Sequence, residues 1–307
     1  MTKAIAFHEY GTADVLLPVD LDVPAPGPGQ VRVEVRAVGV NPLDHKVRNG
    51  EMDGIFPITF PAVPGYELAG VVAEVGEGVT EFAPGDEVFG ALMGGGYAEH
   101  ALVEAALLAR KPATLDWAQA AGIPVAAETA ERVLDILGVR EGETLLVHGA
   151  SGGVGTLLLQ FARARGITVV GTASEANHDY LRELGAIPVT YGEGLAERVR
   201  AAAPGGRVDR ALDASGRDGE VALSVELTGD AQRVVSIADF GAANHGVHFS
   251  GIEDGPRHRQ AYAAVLALHD AGELRLPLHQ VLPLAEAAEA QRISEQGHLR
   301  GKIVLAV

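Results

Sequence analysis

The hydrophobic pattern of the chain changes about one third of the way along its 307 residues. Before that point, apolar runs of strand length alternate with turns rich in proline and glycine, such as residues 26–29 and 84–86. Many short strands with this punctuation favour a compact β-barrel. The predicted strands cover residues 3–7, 31–38, 68–75, 87–89 and 97–103.

Strands and helices alternate along the middle of the chain. After a helix predicted over residues 117–137, this alternation indicates a parallel sheet with helices on both faces. Strands are predicted at residues 144–147, 167–171, 187–189, 208–212, 233–237 and 247–251, and helices at residues 180–184, 195–203 and 220–227. The tail adds predicted helices at residues 260–271 and 284–295 and a closing strand at residues 302–307.

A glycine-rich loop follows the buried strand predicted at residues 144–147. Its glycines are Gly149, Gly152, Gly153 and Gly155, and an apolar helix begins near Leu157. This order suits a dinucleotide pyrophosphate, because glycines let the backbone approach the phosphates and a helix N-terminus attracts anions. Ala150 stands where the strict fingerprint has its first glycine. The alternative is a glycine-rich connection that binds nothing.

The end of the next strand bears on the choice of coenzyme. NAD sites place an acidic side chain about twenty residues past the loop, to bind the adenine ribose. This chain has Ser174 there, which favours NADP(H), with Asn177, His178 and Tyr191 as further polar candidates. Glu175 keeps NAD open if the loop is shorter. Neither Arg nor Lys, the stronger phosphate ligands, stands in this loop.

Composition narrows the class of protein. Hydrophobic residues make up 47% of the chain, which indicates a globular protein. The absence of cysteine excludes disulfides, thiolate catalysis and cysteine-ligated zinc. A net charge of −17 argues against nucleic-acid and anionic-membrane partners. The first residues resemble no secretory leader and no apolar stretch is long enough to span a bilayer, so a cytoplasmic location is expected.

Several local strings make the chain resemble the medium-chain dehydrogenase/reductase superfamily, in its zinc-free, zeta-crystallin-like quinone oxidoreductase branch. They are the glycine loop and residues 40–44, 64–70, 84–90, 96–99 and 297–305. The resemblance implies a GroES-like catalytic domain at residues 1–120, completed by residues 268–307. It also implies a Rossmann NADP-binding domain at residues 121–267, and a homodimer formed through an edge strand at residues 247–252.

The same resemblance locates the positions that hold the catalytic zinc in related alcohol dehydrogenases. Here these positions are Asn41, Tyr66 and Val125, none of which replaces a thiolate or imidazole ligand. A metal-independent site is therefore expected. Glu67 and Asp44 are interpreted as isolated carboxylates that serve the fold. His245 and His248 have an unhelpful spacing and no evident acidic partner, so they are interpreted as a loop pair.

Without zinc, the expected chemistry is hydride delivery from NADPH to a quinone or an α,β-unsaturated carbonyl. Catalysis would then depend on positioning and on a hydrogen-bond donor for the developing oxyanion. Tyr66 and Asn41 are the candidate catalytic residues, although Tyr66 could be a barrel residue and Asn41 could close a turn before Pro42. Leu43, Ile55, Phe56, Phe60 and Met93 are candidate lining residues of an apolar substrate pocket, or core residues.

The resemblance also implies coenzyme contacts along both domains. The family often has lysine near the Asn177 position, and this chain does not. The implied contacts are Asn41, Thr129, Ser151, Gly152, Gly153, Val154, Thr172, Ser174, Asn177, His178, Tyr191, Ile237, Phe249 and Lys302.

Two other functions stay open. One is an NADP(H)-binding sensor or structural protein with little turnover. The other is an enoyl-reductase-like module that acts on a carrier-bound substrate. The acidic charge balance disfavours the second, because carrier proteins are themselves usually acidic.

Overall fold

The computed structural model describes residues 1–56 and 58–307, and for Ile252 it describes the backbone alone. The chain divides into two compact units. Unit 1 combines Met1–Val125 with Leu276–Val307, and unit 2 is Ala126–Arg275. The domain boundaries predicted from the sequence lie at residues 120 and 268. No helix in the described part of the chain is long and apolar enough to cross a bilayer.

Unit 1 is built mainly from antiparallel strands. These are β1 (Thr2–Ala6), β2 (Leu17–Leu21), β3 (Gln30–Val40), β4 (Glu67–Val75), β5 (Glu87–Ala91), β6 (His100–Glu104), β7 (Leu108–Arg110), β14 (Leu278–Pro283) and β15 (Lys302–Ala306). Its helices are α1 (Pro42–Arg48), α2 (Trp117–Ala121) and α9 (Ala287–Gln296). Helix α3 (Pro124–Leu137) follows α2.

The long strand β3 organises the larger sheet of unit 1. Strand order is β14-β15-β3-β4-β5-β7, and β6 also pairs with β3. On β3, residues 30–34 pair with β6 and residues 37–40 pair with β15. Alternate residues of β3 are buried valines, namely Val31, Val33 and Val35. A half-buried strand follows from this period of two.

Unit 2 is a parallel sheet with helices between its strands. The strands are β8 (Thr144–His148), β9 (Thr168–Ala173), β10 (Ile187–Thr190), β11 (Arg210–Asp213), β12 (Val234–Ser236) and β13 (His248–Phe249). The helices are α4 (Gly153–Ala164), α5 (His178–Glu183), α6 (Leu195–Ala202), α7 (Glu220–Thr228) and α8 (His258–Asp270). Strand order is β10-β9-β8-β11-β12-β13, the doubly wound order of dinucleotide-binding sheets.

The doubly wound order determines where a ligand binds. The chain reverses direction across the sheet between β8 and β11, and ligands of such sheets bind beyond the carboxyl ends of the strands at this switch point. The predicted parallel sheet is confirmed. Strand β13 lies at its edge, within the range predicted for a dimer contact, and the dimer itself stays a prediction.

Several sequence predictions are wrong in detail. The single helix predicted over residues 117–137 is two helices, α2 and α3, because Gly122 ends the first and Pro124 begins the second. Among the strands and α-helices of the described residues, four were not predicted, namely β2, β7, β14 and α1. Asn41 lies just before α1, where its N–H donates to Asp44 Oδ2 at 2.7 Å, so it begins a helix rather than closing a turn.

Candidate functional site

The glycine loop after β8 has the backbone that the sequence predicts. Gly149 has φ +73°, and a Cβ there would lie 2.9 Å from the carbonyl oxygen of Ala214. A Cβ on Gly155 would lie 2.6 Å from the carbonyl oxygen of Ala150. Both positions therefore need glycine, one for its conformation and both for close approach of backbone.

The first turn of α4 is open to an anion. Its N-cap is Gly152, which has no side chain to accept the first-turn N–H groups. These groups, from Gly153 and Val154 onward, have no acceptor within a helix and carry its positive dipole end. A Cβ on Gly152 would meet nothing closer than the Gly149 oxygen at 3.4 Å. The loop therefore fits a pyrophosphate group.

Three residues predicted to bind the adenosine end lie together. Asn177 Nδ2 is 3.2 Å from Ser174 Oγ and 3.4 Å from Ser151 Oγ. All three residues are partly accessible. His178 lies apart from them, with its Nε2 3.3 Å from Thr190 Oγ1. Tyr191 lies beneath Arg217, a residue that the sequence analysis missed.

The other residues predicted in unit 2 are two buried threonines, Thr129 and Thr172, and two half-buried apolar residues, Ile237 and Phe249. Thr172 is buried, and its Oγ1 is 3.4 Å from Nδ1 of the buried His148. Thr129 Oγ1 lies 3.5 Å from Arg132 Nη2. The Ile237 N–H donates to the carbonyl oxygen of Asp213 at the sheet's carboxyl edge. The ring of Phe249 packs on that of Phe240, with the centroids 5.0 Å apart. Their coenzyme roles stay predictions.

A buried ion pair holds Asn41 in unit 1. Lys302 Nζ lies 2.7 Å from Glu67 Oε1 and donates to Asn41 Oδ1 at 2.5 Å and to the Val40 oxygen at 3.0 Å. Asn41 Nδ2 donates to Glu67 Oε1 at 2.8 Å, and Glu67 Oε2 accepts the Val125 N–H at 2.8 Å. The ammonium therefore uses its three donors inside the protein.

This network changes how two sequence predictions are understood. Lys302 orients the Asn41 amide and has no donor left for a coenzyme phosphate in this arrangement. Glu67 is not an isolated carboxylate, because it binds Asn41, Lys302 and the Val125 backbone. The sequence offered no sign of the pairing, since 235 positions separate the two charges along the chain.

Asp44 is fully buried beside this network. Its Oδ1 accepts the Gly65 N–H at 2.8 Å and its Oδ2 accepts the Asn41 N–H. Burial raises the pKa of Asp44 to about 7, because lost hydration outweighs the two backbone donors and the attraction of Lys302. The carboxyl group links the start of α1 to the Gly65 turn, which supports the interpretation that it serves the fold.

Tyr66 lines a pocket in unit 1 whose described lining residues carry no charged side chain. The pocket has a volume of about 290 Å³ and includes Phe56 and Met93, two of the five predicted lining residues. The rings of Tyr66 and Phe56 meet edge to face at 5.4 Å. Within the described part of the chain, the Tyr66 hydroxyl has no hydrogen-bond partner. Burial raises the pKa of Tyr66, so the phenol stays protonated.

Leu43, Ile55 and Phe60 are not among the described residues that line this pocket. Ile55 is 66% exposed, and Phe60 packs against Phe7 and Tyr10. This pocket therefore contains two of the five residues, and a place for the other three in a substrate pocket stays a prediction.

The histidine pair also differs from expectation. His248 Nε2 lies 3.0 Å from Asp254 Oδ2, so the inference that it lacks an acidic partner is wrong. No group of three or more potential His, Asp or Glu metal ligands occurs among residues 1–56 and 58–307 as described. Metal independence of the reaction stays a prediction.

Two known protein families match parts of the chain. Residues 27–113 match the family described as "Alcohol dehydrogenase GroES-like domain", and residues 184–305 match the one described as "Zinc-binding dehydrogenase". An alcohol dehydrogenase superfamily protein from Novosphingobium aromaticivorans superposes with a TM-score of 0.87, at 31% identity and over 100% of both chains. The CurK enoyl reductase superposes with a TM-score of 0.87, at 26% identity and over 99% of both chains.

A GroES-like unit combined with a doubly wound dinucleotide-binding sheet defines a class of nicotinamide-dependent dehydrogenases and reductases. The chain belongs to the medium-chain dehydrogenase/reductase superfamily. The resemblance inferred from the sequence and the predicted fold class are confirmed.

Curated relatives fall into two groups. The chain is 41% identical to the NADPH-dependent alkenal/one oxidoreductase of Arabidopsis thaliana and 42% identical to the quinone oxidoreductase of Rattus norvegicus, over 60% and 56% of its length. It is 38% identical to the pikromycin polyketide synthase component PikAII of Streptomyces venezuelae over 97% of its length. The matches span 50% and 53% of the first two relatives and 8% of the third.

Proposed function

We propose that the chain is a metal-independent, NADPH-dependent oxidoreductase of quinones or α,β-unsaturated carbonyl compounds. The observation that carries this proposal is the Tyr66 hydroxyl, which has no hydrogen-bond partner among the described residues and lines a pocket whose described lining includes no charged side chain. Such a pocket suits a flat, uncharged acceptor, and the phenol suits its carbonyl oxygen. The relatives named as an NADPH-dependent alkenal/one oxidoreductase and a quinone oxidoreductase support the same chemistry.

The proposed reaction divides between the coenzyme and the chain. A reduced nicotinamide, when bound, would supply a hydride for the β-carbon of an enone and would itself become oxidised. The π electrons of the C=C bond would then form an enolate with its negative charge on the carbonyl oxygen, and water would supply the proton that the α-carbon takes up. The Tyr66 phenol donates a hydrogen bond to that oxygen as its negative charge develops. Because burial raises its pKa, Tyr66 holds its proton rather than transferring it.

The other residues position the reactants. Lys302 and Glu67 hold the Asn41 amide in one orientation, and by resemblance Asn41 contacts the nicotinamide half. The first turn of α4 receives the pyrophosphate, and the Ser151, Ser174 and Asn177 group receives the adenosine end. NADPH is preferred in this proposal because Ser174 stands where NAD enzymes have a carboxylate.

The Tyr66→Phe substitution tests the proposal, because it removes only the phenolic oxygen. We expect kcat for enone reduction to fall by about 100-fold, the effect of losing one oxyanion donor. The dissociation constant for NADPH should not change. The matched control is Tyr97→Phe, which removes another buried phenol oxygen that does not line the pocket. An unchanged kcat in Tyr66→Phe would contradict the role of Tyr66.

A second function is favoured by one observation. The polyketide synthase relative aligns over 97% of the chain, whereas the rat quinone oxidoreductase aligns over 56%. This suggests reduction of an enoyl thioester held on a carrier protein. Rates with an enoyl carrier-protein thioester, an enoyl N-acetylcysteamine thioester and a free enal distinguish the two. A kcat/KM at least 100-fold higher for the carrier-bound form would favour the second function.

A further inference from the structure

A cleft at the carboxyl edge of the parallel sheet in unit 2 contains an arginine that the proposed function does not use. The cleft has a volume of about 460 Å³. It is lined by the turn after β10, which carries Tyr191, and by the turn after β11, which carries Arg217 and Asp218.

Arg217 lies flat on an aromatic support. Its Cζ is 3.9 Å from the centroid of the Tyr191 ring, a cation–π contact that leaves the outer face of the guanidinium available. No residue described here accepts a hydrogen bond from this guanidinium or forms an ion pair with it. Arg200, exposed in the same unit, is instead paired with Glu226 at 2.6 Å.

Both turns that form this support are fixed by hydrogen bonds. Arg198 donates to the backbone oxygens of Thr190, Gly192 and Glu193 at 3.0, 3.2 and 2.6 Å. These bonds hold the turn that carries Tyr191. On the other side, Ser215 Oγ accepts the Arg217 N–H at 3.2 Å. The cation therefore lies on a preorganised surface.

The sheet register places Tyr191 at the same edge of the sheet as Ser174, a residue of the predicted coenzyme site. Thr190 of β10 pairs with Ala173 of the neighbouring strand β9. Tyr191 and Ser174 directly follow these paired residues, so both stand at the carboxyl ends of neighbouring strands. Arg217, stacked on Tyr191, follows β11 of the same sheet and therefore belongs to the same edge.

The acidic side chains nearby make Arg217 necessary for binding a phosphate group at this edge of the sheet. Glu197 and Asp218 line the cleft and are exposed, and Glu175 is exposed in the loop after β9. Without Arg217, these carboxylates would repel a phosphate. With it, a planar guanidinium offers paired donors suited to phosphate oxygens.

We propose that Arg217, supported by Tyr191, is the specificity-determining residue that binds the 2′-phosphate of NADP(H). This inference rests on the proposed coenzyme site at the glycine loop. It supplies the cation that the loop after β9 lacks, since Asn177 stands where the family often has lysine.

Binding measurements with paired ligands test this assignment. Dissociation constants for NADPH, NADH, 2′,5′-ADP and 5′-AMP are measured for the full chain and for Arg217→Gln, Arg217→Lys and the control Arg200→Gln. In Arg217→Gln, loss of a charge-assisted hydrogen bond should raise the dissociation constants for NADPH and 2′,5′-ADP by about 10-fold to 100-fold. Binding of NADH and 5′-AMP should change by less than about 3-fold. Arg217→Lys should recover part of the loss, and Arg200→Gln should behave as wild type.

The inference is overturned if Arg217→Gln weakens NADPH and NADH equally, or leaves the preference for NADPH unchanged. It is also overturned if the wild-type chain binds 2′,5′-ADP no better than 5′-AMP. NADPH binding that depends on Arg217 in a chain that reduces no quinone, enone or enoyl thioester would support the inference and contradict the proposed function. The two failures are therefore distinguishable.

Discussion

At the residue scale, the arrangement around Asn41 depends on two buried opposite charges. Glu67 has no exposed side-chain surface and Lys302 has 6%, so each charge relies on the other and on Asn41. Removing one partner of a buried pair leaves an uncompensated charge, whereas removing both does not. This difference gives the pair a measurable signature.

The losses of unfolding free energy caused by substituting Lys302 and Glu67 should be strongly non-additive. We expect Lys302→Met and Glu67→Gln each to lower the free energy of unfolding by about 3–5 kcal/mol. The double variant should lose clearly less than the sum, because no lone charge remains buried. Urea unfolding of the four proteins gives the coupling free energy. Additive losses would show that the two side chains act independently.

At the element scale, the turn from β8 into α4 separates glycines needed for the fold from a glycine needed for binding. Gly155 is in contact with the Ala150 backbone, whereas Gly152 has room for a methyl group at φ −73° and ψ 177°. Both glycines belong to one fingerprint in the sequence, which cannot distinguish these two reasons.

The two alanine variants should therefore behave differently. In Gly155→Ala the new methyl group would lie 2.6 Å from the carbonyl oxygen of Ala150. This clash should lower the free energy of unfolding by about 1–3 kcal/mol. Gly152→Ala should fold with wild-type stability and bind NADPH at least about 10-fold more weakly, if the pyrophosphate approaches this backbone closely. Thermal unfolding and NADPH titration of both variants check this. Wild-type affinity in Gly152→Ala would place the pyrophosphate elsewhere.

The limits of sequence interpretation also lie mainly at this scale. The glycine loop and the βαβ rhythm were predictable because each is a local pattern with a physical cause. Strand β14 was not, since exposed positions occupy most of it and it depends on pairing with β15. The Lys302–Glu67 pair and the Arg217–Tyr191 stack join distant segments, so only the folded chain shows them.

At the scale of the whole molecule, stability should depend on pH through His148. This side chain is fully buried between Ser224, Thr172 and Glu220, and burial lowers its pKa to about 4 despite the attraction of Asp213. In the unfolded chain His148 binds a proton near pH 6.5, whereas in the folded chain it stays neutral at that pH. The folded state therefore loses stability as pH falls below about 6.5.

A variant isolates this contribution from that of other groups, among them Asp44, whose raised pKa acts in the opposite direction. Between pH 7.5 and 5.5, the wild-type chain should lose about 1.3 kcal/mol more unfolding free energy than His148→Asn. Urea unfolding at both pH values measures the difference. Parallel pH profiles would contradict this, because they would show that the pKa of His148 is the same in the folded and unfolded chains.

The central claim is that the chain passes a hydride from NADPH to an electron-poor carbon. The most direct measurement uses NADPH carrying deuterium at C4, in each of its two stereochemical forms, with an α,β-unsaturated ketone and an enoyl thioester as acceptors. We predict that one of the two forms yields product with a single deuterium on the β-carbon. Product without deuterium from both forms, or no consumption of NADPH with any acceptor, would contradict the account.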